Sequence, residues 1–214
     1  MTKTKDPDLD TMEDLKVHNL RPSPNSWEQF SSPKASAVLC LFIKHHEDDS
    51  DFKILLTKRS TKVSTHKGQI GFPGGHKEDH DAGPVETALR ETEEEIGLKS
   101  DKITIHGSLD SAPALSGKPV VPIIGSAIVR MEELSISDDE VDEVFFVPVD
   151  VFLRGKEQHV RFNMFGIERK TIVYLFEDYI IWGLTAGMIH RAKILREPDS
   201  SCGVNLKTQR AKFE

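Results

Sequence analysis

Glu91, Glu94 and Glu95 are the residues of this chain whose types and spacing best fit chemistry. At about 100° per residue, a helix through them sets the three carboxylates within an arc of about 100°. Glu86 and Glu93 point elsewhere on the same helix. Three like charges on one face repel unless a cation stands among them. Hard carboxylate oxygens suit Mg²⁺ or Mn²⁺ rather than a soft metal. Upstream lie Gly74 and Gly75, preceded by Lys58, Arg59, Lys62, His66 and Lys67 with no acid between residues 57 and 67. A basic run leading into a glycine pair and an acidic helix suits phosphate binding. Arg59 is the strongest single candidate, because a guanidinium holds phosphate bidentately.

These residues need a scaffold. Pro84 suits the first turn of a helix and Gly97 the residue just past its end, so the spacing predicts a helix over 84–96. Val85, Ala88, Leu89, Thr92 and Ile96 form its apolar stripe. Before it, residues 35–44 read as a buried strand, 45–51 as a charged turn and 52–57 as a second strand closing a hairpin. Residues 60–67 read as a polar loop, and 69–72 as a short strand entering a turn at Pro73, Gly74 and Gly75.

After the helix, strands are expected at 103–109 and 120–129, with loops at 110–118 and 131–140. Pro148 marks 144–149 as an edge strand or strand end. Residues 159–165 and 171–176 read as paired strands turning at Gly166. A second helix is expected over 180–195, with Leu184, Ile189, Ala192 and Leu195 apolar. Many strands with two main helices give an α+β, mixed-sheet layered domain. That domain spans 34–196, between a proline-bearing peripheral arm (1–33) and a polar tail (197–214). Leu15, Val17 and Leu20 allow a short helix or strand in the arm.

A chain of 214 residues is one ordinary domain with tails, or at most one and a half, able to bury roughly 70% of its unfolded surface. Its net charge of −7 argues against a general nucleic-acid binder, and makes an anionic substrate depend on local positive charge or metal. Cys40 and Cys202 form no CxxC pair, which favours a reducing, cytoplasmic compartment. The polar stretch Met1 to Asp10 has no apolar signal core, and no segment approaches the roughly 20 apolar residues of a membrane span. His76 and His80, with Asp79 and Asp81, read as solvated turn residues, since the third and fourth soft ligands of a zinc site are missing.

Residues 74–98 resemble the Nudix box, Gly-x5-Glu-x7-Arg-Glu-U-x-Glu-Glu-x-Gly-U with U apolar. The second half matches from Arg90 to Leu98, with Thr92 at the first U. Counted from Gly75, the acidic position is Asp81, and eight residues rather than seven precede Arg90. That expansion is similar to the coenzyme A pyrophosphatase branch of Nudix hydrolases. Residues 55–75 resemble the branch signature Leu-Leu-Thr-x-Arg-Ser-x-x-Leu-Arg-x-His-x-Gly-Gln-Val-x-Phe-Pro-Gly-Gly. Val63 replaces its leucine, and Ser64 its arginine, which puts one phosphate contact in question. Residues 116–122, 140–148 and 181–186 also look like that branch, so the resemblance runs from about 35 to 195.

The resemblance implies an α/β/α sandwich around a central mixed sheet. It implies attack of water on the diphosphate of coenzyme A or its thioesters, releasing 4′-phosphopantetheine (or its acyl form) and adenosine 3′,5′-bisphosphate. Glu91, Glu94 and Glu95 would bind Mg²⁺ or Mn²⁺ with the Gly74 carbonyl. Lys58, Arg59, His66 and Lys67 would meet substrate. Gly75 and Gly97 would shape the backbone, and Arg90 would orient a box glutamate. Either a box glutamate or Glu140 would accept the water's proton, and that choice stays open. Trp182 and Thr185 read most simply as core and capping residues. Two rivals stand beside this reading: a Nudix hydrolase of ADP-ribose or dinucleotides, and a non-catalytic ligand sensor on the same fold. No nucleic-acid or membrane partner is expected, and a homodimer stays open.

Overall fold

The computed structural model describes residues 15–196 other than 18, 31, 33, 48, 50, 64, 65, 154, 155, 165 and 193. The expectations for Ser64, Cys202 and the polar tail lie outside the described residues. In chain order the elements are β1 (Leu15–Val17), β2 (Ser36–Lys44), β3 (Lys53–Arg59), β4 (Ile70–Gly71), β5 (Gly74–His76) and α1 (Pro84–Ile96). Then come β6 (Thr104–Ser108), β7 (Ala112–Pro113), β8 (Pro119–Ile128), β9 (Val141–Pro148), β10 (Gln158–Met164) and β11 (Ile167–Phe176). The chain closes with β12 (Tyr179–Trp182), α2 (Gly183–Ala192) and β13 (Ile194–Arg196).

The central sheet runs β4-β3-β2-β8-β6, with β5 also pairing β2, β7 pairing β8 and β9 pairing β3. It is mixed: β2 lies parallel to β8 along its whole length, while the other pairings are antiparallel. Its middle strand β2 is apolar between Ser36 and Lys44 because both faces are covered. Leu39, Leu41 and Ile43 face the α1 side with Ala88 and Ile96. Cys40 and Phe42 face the opposite side with Ala186, Met188 and Ile189 of α2. The α1-side core also takes in Trp27, edge-on to Phe30. The result is the expected α/β/α sandwich, with β10-β11-β12 as a second small sheet beside α2.

The first hairpin is real but brief. β2 and β3 pair only at Phe42–Ile54 and Ile43–Lys53; β9 lines the other edge of β3 along its length, and β4 joins β3 at Thr57 and Lys58. The glycine segment is not a turn: Gly74, Gly75 and His76 pair with Val38, Ala37 and Ser36. Lys58 and Arg59 belong to β3 rather than to a loop. The second helix is shorter than its apolar periodicity suggests. Ile180, Ile181 and Trp182 are β-branched or aromatic and join β11 instead, while Leu195 joins β13, which pairs with β1.

Candidate active site

Helix α1 starts and stops where its sequence says. Gly83 caps it in extended conformation and Pro84 takes the first helical position. Gly97 ends it at φ 70°, its N–H donating to the Glu93 carbonyl. No basic residue occupies the last turn. Glu93, Glu94 and Glu95 therefore crowd the negative end of the helix dipole, an arrangement that costs stability and calls for a functional reason.

The three box glutamates do not share one environment. Glu95 is buried, its side chain 4% exposed. It accepts hydrogen bonds from the Gly74 N–H at 3.2 Å and from Arg59 Nη1 at 3.4 Å. Burial dominates those two contacts and pushes its pKa up to about 8. Glu91 is partly buried, and burial raises its carboxyl against the opposing pull of Arg90. Glu94 is 52% exposed and held at 2.8 Å by Arg90 Nη1. The charge of Glu140 is near enough to add to the repulsion on both Glu91 and Glu95. Its carbonyl accepts the Ser60 N–H, which ties the turn before β9 to the end of β3.

The glycine pair is fitted to these acids. Gly74 sits at φ 148°, and a Cβ there would lie 2.4 Å from the Ala37 carbonyl oxygen. A Cβ on Gly75 would lie 2.3 Å from Cδ of Glu91. The Glu91 carboxylate thus occupies the space that any other residue at 75 would fill.

Arg90 is the hub of the flank of the helix beside Glu94 and Glu91. It donates to both carboxylate oxygens of Asp81 (3.1 and 3.0 Å), to the His76 carbonyl at 3.0 Å and to Glu91 at 3.1 Å. Asp81 is buried and also accepts from the Glu78 N–H and from Thr87 Oγ1. Burial alone would raise the Asp81 carboxyl; the bonds from Arg90, Glu78 and Thr87 together hold it below its ordinary value. Asp81 is therefore not a solvated turn residue. The signal for it was in the sequence: an acid nine positions before an arginine, in the motif's own acidic slot. Thr87, missing from the expected apolar stripe, is fully buried, whereas Leu89 is only partly so.

The basic candidates separate. Arg59 lies on the α1 side and meets Glu95, while its Nε is buried with no acceptor. Lys58, one residue earlier on the strand, points to the other face. His66 and Lys67 are exposed on a loop that closes back through the Gly68 N–H to the Arg59 carbonyl. His66 bonds to Gln69 at 2.8 Å. Trp182 is exposed rather than core, edge-on to Phe162. Thr185 does not cap α2: its hydroxyl donates to the Ile70 carbonyl at 3.2 Å and ties the helix to β4.

The NUDIX domain family matches residues 33–165. Nudix hydrolase 15, mitochondrial, of Arabidopsis thaliana is 34% identical over 180 residues, covering 81% of this chain and 62% of that protein. This chain thus spans less than two thirds of the plant relative's length. The Nudix hydrolase NudL of Pectobacterium atrosepticum is 34% identical over 173 residues, covering 78% of this chain and 85% of its own. Among solved structures, the M. smegmatis Nudix hydrolase RenU aligns with a TM-score of 0.46 at 20% identity, covering 55% of this chain and 72% of that one.

Proposed function

Starting from a chain that belongs to the NUDIX domain family, we propose that it is a metal-dependent hydrolase of the diphosphate in coenzyme A or its derivatives. The observation that carries the hydrolase reading is the pair of under-compensated carboxylates, Glu91 and Glu95, packed against Gly75 and Gly74. Carboxylates and a backbone carbonyl are hard donors, and their chemistry fits Mg²⁺ or Mn²⁺. Among the described residues, no three acidic, imidazole or thiol groups converge as a ready-made cage. Glu91, Glu95 and the Gly74 carbonyl would hold the ion, with Glu94 released from Arg90 to join them. When bound, such an ion neutralises diphosphate charge and lowers the pKa of a coordinated water.

The chain's own residues supply the rest. Arg59 has a buried Nε with no acceptor and a long contact to Glu95, so it keeps donors for a phosphate oxygen. Lys58 faces away on β3, and His66 and Lys67 stand outside this cluster, so a direct role for His66 and Lys67 requires their loop to fold onto substrate. Arg90 orients Glu91, and holds Glu94 until the ion draws it away, rather than touching substrate. A box glutamate or Glu140 accepts the proton of the attacking water. Water adds to one phosphorus, the bridging P–O bond breaks, and the leaving phosphate departs with its electron pair.

Coenzyme A as substrate rests on the sequence resemblance over residues 55–75 and 181–186. A pocket shaped for the pantetheine arm leaves polar groups unpaired when that arm is missing. The expected kcat/KM for coenzyme A exceeds that for ADP-ribose, diadenosine polyphosphates and nucleoside triphosphates by at least about tenfold, or about 1.4 kcal/mol. A panel at one Mg²⁺ concentration and one pH, read by phosphorus-containing products, checks this. Preference for ADP-ribose would overturn the coenzyme A assignment alone. Metal binding without any hydrolysis would point to a ligand sensor instead. Among the described residues, no helix is long and apolar enough to cross a membrane. Cys40 is a free thiol, which suits the reducing environment of the cytoplasm.

A further inference from the structure

The small sheet β10-β11-β12 has two unlike faces. Cross-strand register sets Val160 opposite Thr171, Phe162 opposite Arg169, Val173 opposite Trp182 and Leu175 opposite Ile180. The alternate residues Tyr174 and Ile181 point the other way, into the core against α2. The outward face is therefore largely apolar and open at its margins: Val173 at its middle is buried, but Leu175 is 52% and Ile180 57% exposed, with Val160 and Trp182 also exposed.

Two observations say what covers it. The first is the edge. β10 is outermost in its sheet, seven residues long, with an unbroken register and neither proline nor lysine. Natural edge strands are blunted by shortness, bulges, proline or charge, and of these β10 has only the charge of Arg161, which Glu168 of β11 meets at 3.4 Å. Met164 and Ile167 close the hairpin as a hydrogen-bonded pair, so Gln158, Val160 and Phe162 direct their backbone groups to β11. His159, Arg161 and Asn163 then direct theirs to the open edge. The second is charge. Alternation from 158 to 182 places no Asp or Glu on the outward face, and Arg169 is its only fixed charge. Two copies of a chain with net charge −7 repel over most of their surfaces, but not over this one.

We propose that β10 pairs antiparallel with β10 of a second copy of this chain about a two-fold axis, making a continuous six-stranded sheet. A two-fold pairing matches each open edge with an identical one and joins the two apolar faces into one strip across the seam. Val160 and Phe162 flank the seam; Leu175 and Ile180 lie beside it.

Sedimentation equilibrium of the full chain between about 1 and 100 μM tests this. The expected result is a concentration-dependent shift from monomer to dimer. Leu175→Glu and Ile180→Glu place acids on the face at solvent-exposed positions, so the monomer fold tolerates them. Each should weaken dimerisation at least tenfold. Arg161→Pro, which removes an edge N–H that β11 does not use, should do the same, with circular dichroism confirming retained strand content. Leu115→Glu, 75% exposed in a separate loop, should leave the dimer intact. A chain that stays monomeric throughout, or a dimer as tight in Leu175→Glu and Ile180→Glu as in Leu115→Glu, overturns the proposal. So does a monomer that instead binds lipid vesicles through this face.

Discussion

Asp81 and Glu95 are both buried carboxylates served by an arginine, yet the fold treats them in opposite ways. Asp81 receives two bonds from Arg90, one from a backbone N–H and one from a hydroxyl, and its carboxyl stays below the ordinary range. Glu95 receives one backbone N–H and a 3.4 Å contact from Arg59, and its pKa rises to about 8. The difference separates structure from function on one helix. A carboxylate with its charge fully compensated braces the loop before α1. A carboxylate left under-compensated stores an unmet demand for positive charge, which a metal ion or cationic partner can meet.

The comparison breaks first, if it breaks, on pH. Glu95 in the folded protein keeps its proton to about pH 8, whereas the unfolded chain releases it near 4.5. Between these values the folded state holds the extra proton, so stability falls as pH rises. In metal-free buffer the loss from this group should be on the order of 3 kcal/mol between pH 4.5 and 8. Glu95→Gln cannot ionise, so its unfolding free energy should be flatter across that window. Parallel denaturant titrations at several pH values decide this. Identical slopes for the two proteins would mean that Glu95 is ionised and compensated like Asp81.

Asp81 carries the reverse sign. Its folded pKa is depressed, so its contribution is present above pH 3.8 and disappears as pH falls through its folded value. Asp81→Asn should destabilise the protein at neutral pH by about 2 kcal/mol. That is below the usual cost of breaking a buried pair, because Arg90 keeps Glu94 and the His76 carbonyl. The deficit should shrink toward pH 2–3. A constant deficit at all pH values would reduce Asp81 to a neutral hydrogen-bond acceptor.

How far the sequence carries this contrast depends on which residues set each environment. The limits of α1 were legible because Pro84 and Gly97 act locally on their own backbone. The arc of Glu91, Glu94 and Glu95 was legible from helical geometry. Their division was not, since it depends on what faces each carboxylate in space. Glu95 meets the N–H of Gly74, a residue that reads as part of a turn but pairs with β2. Glu94 is drawn outward by Arg90. Lys58 and Arg59 are equal members of a basic run until β3 sends them to opposite faces. The short α2 also came from tertiary pairing, which overrode an apolar period equally readable as helix.

The smallest expected effect sharpens the functional half of the comparison. Gly74 and Gly75 are neighbours, but what an added methyl would strike differs. At Gly74 it meets the backbone of Ala37 and Val38, which cannot yield without opening the β2–β5 pairing. At Gly75 the atoms it meets first are the carboxylate end of the Glu91 side chain, which can swing away. Gly75→Ala should therefore fold with a stability change under about 1 kcal/mol, while its displaced Glu91 lowers kcat/KM by about tenfold, or about 1.4 kcal/mol. Thermal unfolding and steady-state kinetics on one preparation separate the two effects. A loss of stability with unchanged activity would assign Gly75 to strand pairing and leave Glu91 outside the chemistry. Lost activity with retained stability would place the Glu91 carboxylate, held over a glycine that leaves it room, among the groups that act on substrate.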